Sequence, residues 1–269
     1  VPFQASGVPA IVCDGAAKAP TGLPLAAADG NVVETKTTAK LDASGALRAK
    51  TTFVCRGEAA ANWRHALRTR NDAQRRELLK GLLGGAVAPA PGEEWFDGQL
   101  RPQLAETLQG KVAAAEVEAV DVAAPLDGTA PDFTFTTTWR AGSYAARVGG
   151  RLAFGVSPFH PVDDADWAAG GRYNDVDLGA ARLLKDEIEI ELPQGAANVQ
   201  APDAVAVDGQ FGAFATSAKV EGGKLVVKRS LRLDQTAIPA EAWFAARPWF
   251  RSVAAADEAK ALVSVGENR

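Results

Sequence analysis

The residues that could do chemistry are few and scattered. The only thiols are Cys13 and Cys55, and the only imidazoles are His65 and His160. With an aspartate they would supply a Cys-His-Asp arrangement for nucleophilic catalysis. Their settings argue against it. Cys55 shares strand parity with Phe53 and Leu47, and Cys13 with Ile11, so both thiols are expected to face inward. Neither opens a helix nor follows a glycine elbow, where a thiolate would be stabilised. Two buried thiols and a Cys13–Cys55 disulfide are the competing readings, and both leave the chain without a catalytic residue.

A second group is acidic. Asp163, Asp164 and Asp166, then Asp175 and Asp177, offer hard oxygen donors of the kind a Ca²⁺ ion takes. The glycine and closing glutamate of an EF-hand are missing, so turn- and helix-capping aspartates are the plainer account. Trp167 lies in the same stretch, shortly before Gly170-Gly171-Arg172-Tyr173, and Trp95 occupies a less regular segment. With Arg172, these aromatics could hold a glycan by stacking, whereas loop aromatics more often fold back onto a sheet. Arg64, Arg68, Arg70, Arg75, Arg76 and Lys80 make one helical stretch basic. No aromatics interleave with them and the net charge is -4, so they read as a solvated face, with no nucleic-acid partner. There is no glycine-rich phosphate loop, CxxC, HExxH or GxSxG.

The elements that must position these residues are mostly strands. Val33, Thr35, Thr37, Ala39 and Leu41 alternate before Asp42-Ala-Ser-Gly45, and Leu47, Ala49, Thr51, Phe53 and Cys55 alternate after it, which predicts a hairpin. Glu58 to Arg68 reads as a helix, and Asn71-Asp72 offers the N-cap of a second that carries Leu78, Leu79, Leu82 and Leu83 and stops at Gly84-Gly85. A weaker helical pattern spans Trp95 to Leu108. Strand patterns return at Glu116 to Val122, Phe133 to Trp139 and Leu152 to Val156. Beyond the polar loop Ser157 to Gly179 they resume at Lys185 to Leu192 and in a hairpin across Glu221-Gly-Gly223. Pro239 suits the first position of a terminal helix, which Pro248 would kink or restart.

These patterns predict a mainly β, antiparallel sandwich-like fold with a helical insertion and a C-terminal helix. Three parts are expected. Residues 1–30 form a connector with an edge segment, 31–184 a β domain with a helical insertion at about 58–108, and 185–269 a C-terminal β domain with the terminal helix. A chain of 269 residues can bury a sizeable core, and no apolar run is long enough for a membrane span. The absence of methionine suggests a processed product or a piece of a longer protein.

The segments KLDASGALRAKTTFVCRGEAA, Gly171-Arg172 with Asp175-Val-Asp177-Leu, EIEIELPQG and RSLRLDQTAIPAEAWFAARPWFRSVAAADEAKALV follow one another in a distinctive order. In that order and spacing the chain resembles the C-terminal region of bacterial multidomain transglutaminase-like proteins. In these an N-terminal β-rich domain, a papain-like core and a C-terminal β-rich domain succeed one another. The family's catalytic Cys, His and Asp belong to the core, and no position here matches them. The resemblance implies an accessory β module that packs against an upstream transglutaminase-like domain or another protein. It also implies an exported, extracytoplasmic bacterial protein, a setting compatible with a disulfide. A glycan-binding module and an independent thiol hydrolase are the other functional readings, and the Ser157 to Gly179 loop is the expected site of any binding.

Overall fold

A computed structural model of the chain describes residues 9–10, 20–22, 26–85, 110–112, 114–123, 126, 130–159, 161–168 and 170–266. In chain order its elements begin with two short paired strands, β1 (Pro9–Ala10) and β2 (Thr21–Gly22). The hairpin β3 (Val32–Leu41) and β4 (Leu47–Arg56) follows, then helices α1 (Glu58–Arg68) and α2 (Asp72–Leu83). Next come β5 (Ala115–Val122), β6 (Asp132–Ala141), β7 (Ala146–Val148), β8 (Arg151–Gly155), β9 (Val176–Asp177), β10 (Arg182–Glu191), β11 (Ala197–Gln200) and β12 (Val205–Gly209). The chain closes with β13 (Gly212–Glu221), β14 (Lys224–Leu233), β15 (Ala237–Ile238), α3 (Trp243–Asp257) and β16 (Lys260–Ser264). The fold is mainly β, as the alternation implied. The helical piece expected at Trp95 to Leu108 lies outside the described residues.

Eight strands form one large sheet in the order β12-β13-β14-β10-β3-β4-β6-β5, and four form a smaller one, β11-β16-β8-β7. All pairs in the large sheet are antiparallel except β3 with β10, so the sheet is mixed. A parallel pair needs a long crossover, and the whole stretch between Leu41 and Arg182 supplies it. The boundary placed between residues 184 and 185 falls inside β10, which pairs with β3 on one side and β14 on the other. The large sheet therefore runs across it without interruption.

Local chemistry explains the best-formed elements. In the β3–β4 turn the Asp42 carboxylate accepts hydrogen bonds from the amides of Ser44 (2.8 Å) and Ala46 (3.0 Å). Those bonds, the Ser44 hydroxyl's foremost, hold its pKa below the usual carboxylate value. Gly45 takes φ +94°, and a Cβ there would lie 2.5 Å from the Ala145 carbonyl oxygen, so only glycine fits. Asn71 and Gln74 form a capping box at the start of α2. Pro248 remains inside one continuous helix, α3, after a 3-10 turn at Ala240–Ala242.

The alternation sorts each strand's residues onto two faces. Phe53 and Phe135 stack on the inner face with ring centroids 4.6 Å apart, and Trp63 of α1 covers Phe135 at 4.7 Å. Leu152 and Phe154 of β8 and Ala261 and Val263 of β16 belong to the same continuous core. The outer face is polar and laced with cross-strand ion pairs, among them Lys40–Glu191, Lys185–Glu34 and Lys228–Glu187. Such exposed pairs contribute little each, on the order of 0–1 kcal/mol.

The inner face is not wholly apolar. The Thr37 and Thr51 hydroxyls lie 2.9 Å apart, and the Trp139 indole donates to Thr51 Oγ1 at 3.1 Å. Deeper in, Arg229 of β14 is fully buried. Its guanidinium donates to both carboxylate oxygens of Asp257, the last residue of α3, at 2.7 and 2.8 Å. It also reaches Asp186 Oδ2 of β10 at 3.4 Å, while Thr35 of β3 donates to Asp186 Oδ1 at 2.7 Å. Register explains the meeting, because Thr35, Asp186 and Arg229 are direct neighbours across three adjacent strands.

Burial raises the pKa of Asp186, against the opposing pull of Arg229 and the Thr35 hydrogen bond. A carboxyl whose folded-state value is raised binds its proton more tightly when folded. Its contribution to stability is full below the unfolded value and is lost as pH rises through the folded one. Relative to Asp186→Asn, the parent chain should therefore gain stability as pH falls from neutrality toward the ordinary carboxylate range. Denaturant midpoints of both proteins across that range measure this. A constant difference, or one of opposite sign, would show that Asp186 does not titrate in this way.

Candidate functional site

The loop between β8 and β10, where binding was expected, is built onto α3. Its first part is tied down by Asp257, whose Oδ2 accepts the Val162 amide at 3.0 Å. A 3-10 turn over Asp164–Trp167 then places the Trp167 ring parallel to Phe250, with centroids 3.7 Å apart, and stacked on Trp243 at 5.2 Å. Trp167 is only 6% exposed. It is therefore a packing residue, because two aromatic rings remove it from water more effectively than a loop surface could leave it there. Trp95 lies outside the described residues.

Arginines from α3 complete the clamp. Arg247 donates to the carbonyls of Trp167 (2.8 Å) and Ala168 (3.1 Å), and Arg251 pairs with Asp164 at 2.7 Å. Arg172 lies over the Trp243 ring, 4.6 Å from its centroid, and donates to the Asp166 carbonyl at 2.8 Å. This stack holds the glycine-rich turn against the helix. Beyond it the Tyr173 side chain is 101% exposed. Phe244, on the first turn of α3, is 65% exposed, and a Cβ on Gly171 would sit 3.8 Å from its Cζ. Tyr173 and Phe244 thus flank one edge of the clamped loop. Sequence reading picked out Arg172 and Tyr173 but missed Phe244, which the surrounding Trp243, Trp249 and Phe250 disguised as core.

The five aspartates do not converge. Asp163 pairs with Lys111 at 3.1 Å and Asp164 with Arg251. Asp175 caps the 3-10 turn before α3 by accepting the Ala240 amide at 3.0 Å, and Asp177 accepts the Gly179 amide at 2.8 Å. The Asp166 amide donates to the Asp163 carbonyl at 3.2 Å. Among the described residues there is no group of three or more His, Cys, Asp and Glu side chains that could hold a metal ion.

Cys55 is a free thiol, 0% exposed, on the inward face its parity with Phe53 implied. Desolvation pushes its pKa far above the ordinary thiol value, the reverse of what a nucleophile needs. Cys13 and His160 lie outside the described residues. His65 sits in α1, half-buried. No described helix is long and apolar enough to cross a membrane. On the outer face, a hollow of about 570 Å³ runs beside β12, with Lys185, Glu187 and Lys228 along one side and Ala204, Ala206 and Ala215 along the other.

Comparison with known proteins places this geometry in a partial family context. A family model for a domain of unknown function with a solved structure, DUF3858, matches residues 151–263. That stretch runs from β8 to β16 and holds the clamped loop, α3 and the Arg229–Asp257 pair. No curated protein matches the chain. A crystal structure of a "putative protease" from Parabacteroides distasonis aligns over 44% of this chain and 24% of that one, at 16% identity and a TM-score of 0.36. The likeness thus spans about a quarter of that protein's length.

Burial of Cys55 has a direct chemical consequence. The native protein should leave Cys55 unlabelled by a maleimide or an aromatic disulfide reagent, and denaturant should release it. Peptide mapping of the labelled product reads this, and rapid modification of native Cys55 would contradict the burial.

Proposed function

We propose that this chain is a non-catalytic accessory β module of an exported bacterial transglutaminase-like protein, and that it engages another protein domain through the surface carried by α3. The observation that carries this reading is the exposure of Tyr173 and Phe244 beside a loop fastened to α3. Aromatic residues and arginine dominate the energetic centres of protein interfaces, where a rigid ring loses little entropy on binding. Here Arg172 is stacked on Trp243, the backbone beneath is clamped by Arg247, and the two rings stand outside. The match of residues 151–263 to a domain of unknown function is in keeping with an accessory role. The upstream catalytic domain of the resembled family is the partner favoured by the sequence.

Binding of the purified chain to a transglutaminase-like domain of that family tests the reading by isothermal titration. The parent chain should bind, and Tyr173→Ala with Phe244→Ala should weaken binding at least tenfold while leaving the circular dichroism spectrum unchanged. Equal binding by the double variant would overturn this surface. Peptide hydrolysis or cross-linking by the purified chain, abolished by Cys55→Ala, would overturn the non-catalytic role.

A glycan-binding reading has one specific observation in its favour, the fully exposed Tyr173 ring beside Asn174 and Asp175. A ring with polar neighbours can stack on a sugar face. Because Arg172 lies on Trp243, a sugar docking at Tyr173 should change tryptophan fluorescence. An unchanged spectrum across a panel of soluble polysaccharides would remove this reading.

A further inference from the structure

The two edges of the large sheet are built differently. At one end β5 carries a register shift between Val117 and Ala119, and α2 packs against it. Two of its acidic side chains are engaged, Glu116 by Arg140 and Glu118 by Arg48. A bulge and a covering element are how proteins keep an edge from recruiting another strand. At the other end β12 has no register shift. Its five residues pair with β13 in unbroken register from Val205↔Thr216 to Gly209↔Gly212, and no described strand lies on its outer side. Helix α3 also packs on this strand, and a Cβ on Gly209 would stand 2.8 Å from the Trp249 ring.

The side chains of this edge favour an added strand. Val205 and Val207, on the inner face, are only half-buried, so the core is incompletely covered along this border. On the outer face Ala206, Ala215 and Ser230 lie side by side across β12, β13 and β14, forming the low floor of the 570 Å³ hollow. A neighbouring strand would find room there for long side chains. The edge is also acidic: Asp203 and Asp208 are exposed at its two ends, and neither forms an ion pair among the described residues.

The geometry points to β12 as a docking edge for an extended segment of a partner protein that carries lysine or arginine at alternate positions. Backbone hydrogen bonds to β12 would supply the pairing, and the two aspartates would select the charge. A second copy of this chain is disfavoured, since antiparallel self-pairing would bring four carboxylates onto one ribbon with no cation from either β12 strand. This deepens the interaction-module reading and rests on it, but it concerns a surface other than Tyr173 and Phe244.

The test uses the whole chain and two acetylated, amidated eight-residue peptides, one alternating lysine with valine and the other glutamate with valine. Backbone amide exchange is followed by mass spectrometry. Millimolar basic peptide should slow exchange of residues 204–209 at least tenfold, and the acidic peptide should not. In a chain carrying Asp203→Lys and Asp208→Lys, both exposed changes, the preference should reverse. Absence of protection at 204–209, equal protection by both peptides, or protection already present through self-association would each overturn the inference. Because no transglutaminase-like domain is involved, these outcomes are separate from loss of binding in the Tyr173 and Phe244 variant.

Discussion

The structure depends on one buried cation. Arg229 brings a positive charge to a site where Asp186 and Asp257 bring two negative ones, all three side chains at or below 1% exposure. Each of those charges would be costly alone in a medium of low polarity, and removal of one partner from such a network costs about 3–5 kcal/mol. Geometry makes the arrangement tolerable. The guanidinium meets Asp257 with two parallel hydrogen bonds, Thr35 satisfies the second oxygen of Asp186, and the Phe214 ring lies 5.3 Å from the cation.

The consequence is mechanical as well as energetic. Asp257 ends α3, where the helix dipole disfavours a carboxylate, so without Arg229 this helix would have little reason to finish there. The same carboxylate also accepts the Val162 amide and so fixes where the loop leaves the sheet. From that point Trp167, Arg247, Arg251 and Arg172 fasten the loop to α3, and Tyr173 and Phe244 are displayed on the result. A chain of contacts therefore runs from the middle of the large sheet to its most exposed aromatic surface. Loss of the buried pair should be felt there, because Asp257 ties the end of the helix both to β14 and to the start of the loop.

The parts of this arrangement visible in the sequence are those set by local rules. Period-two alternation gave the β3–β4 hairpin its register to within a residue at each end, and Asn71, with Gln74 three positions on, capped α2 as such a pair should. What local rules do not encode is pairing between distant segments. The parallel match of β3 to β10 and the strand β16, which follows α3 and joins β8 to β11, depend on contacts that close only in three dimensions. Asp186 was hidden for the same reason, as one acidic residue in an alternating Glu-rich strand whose inward parity was its only mark. Trp167 misled because its loop looks solvated, while the aromatic faces that bury it lie about eighty residues further on. Phe244 misled in the opposite sense, sitting next to a truly buried Trp243 on a helix whose apolar stripe does not include it.

The sheet's charge distribution gives the same order of importance to local and distant effects. Across its middle the carboxylates of Glu34, Glu187, Glu189 and Glu191 are each matched by a lysine or arginine on a neighbouring strand. This pairing is what a two-sided strand register produces when one face must stay in water. Among the described strands β12 has one neighbour, β13. Asp203 and Asp208 form no ion pair among the described residues, at the border of a core that Val205 and Val207 only half close. An edge with unsatisfied backbone groups, unpaired charge of one sign and incompletely covered apolar side chains has three deficits that a single basic strand would meet together. The opposite edge differs in the register shift between Val117 and Ala119 and in the engagement of Glu116 and Glu118 by arginines.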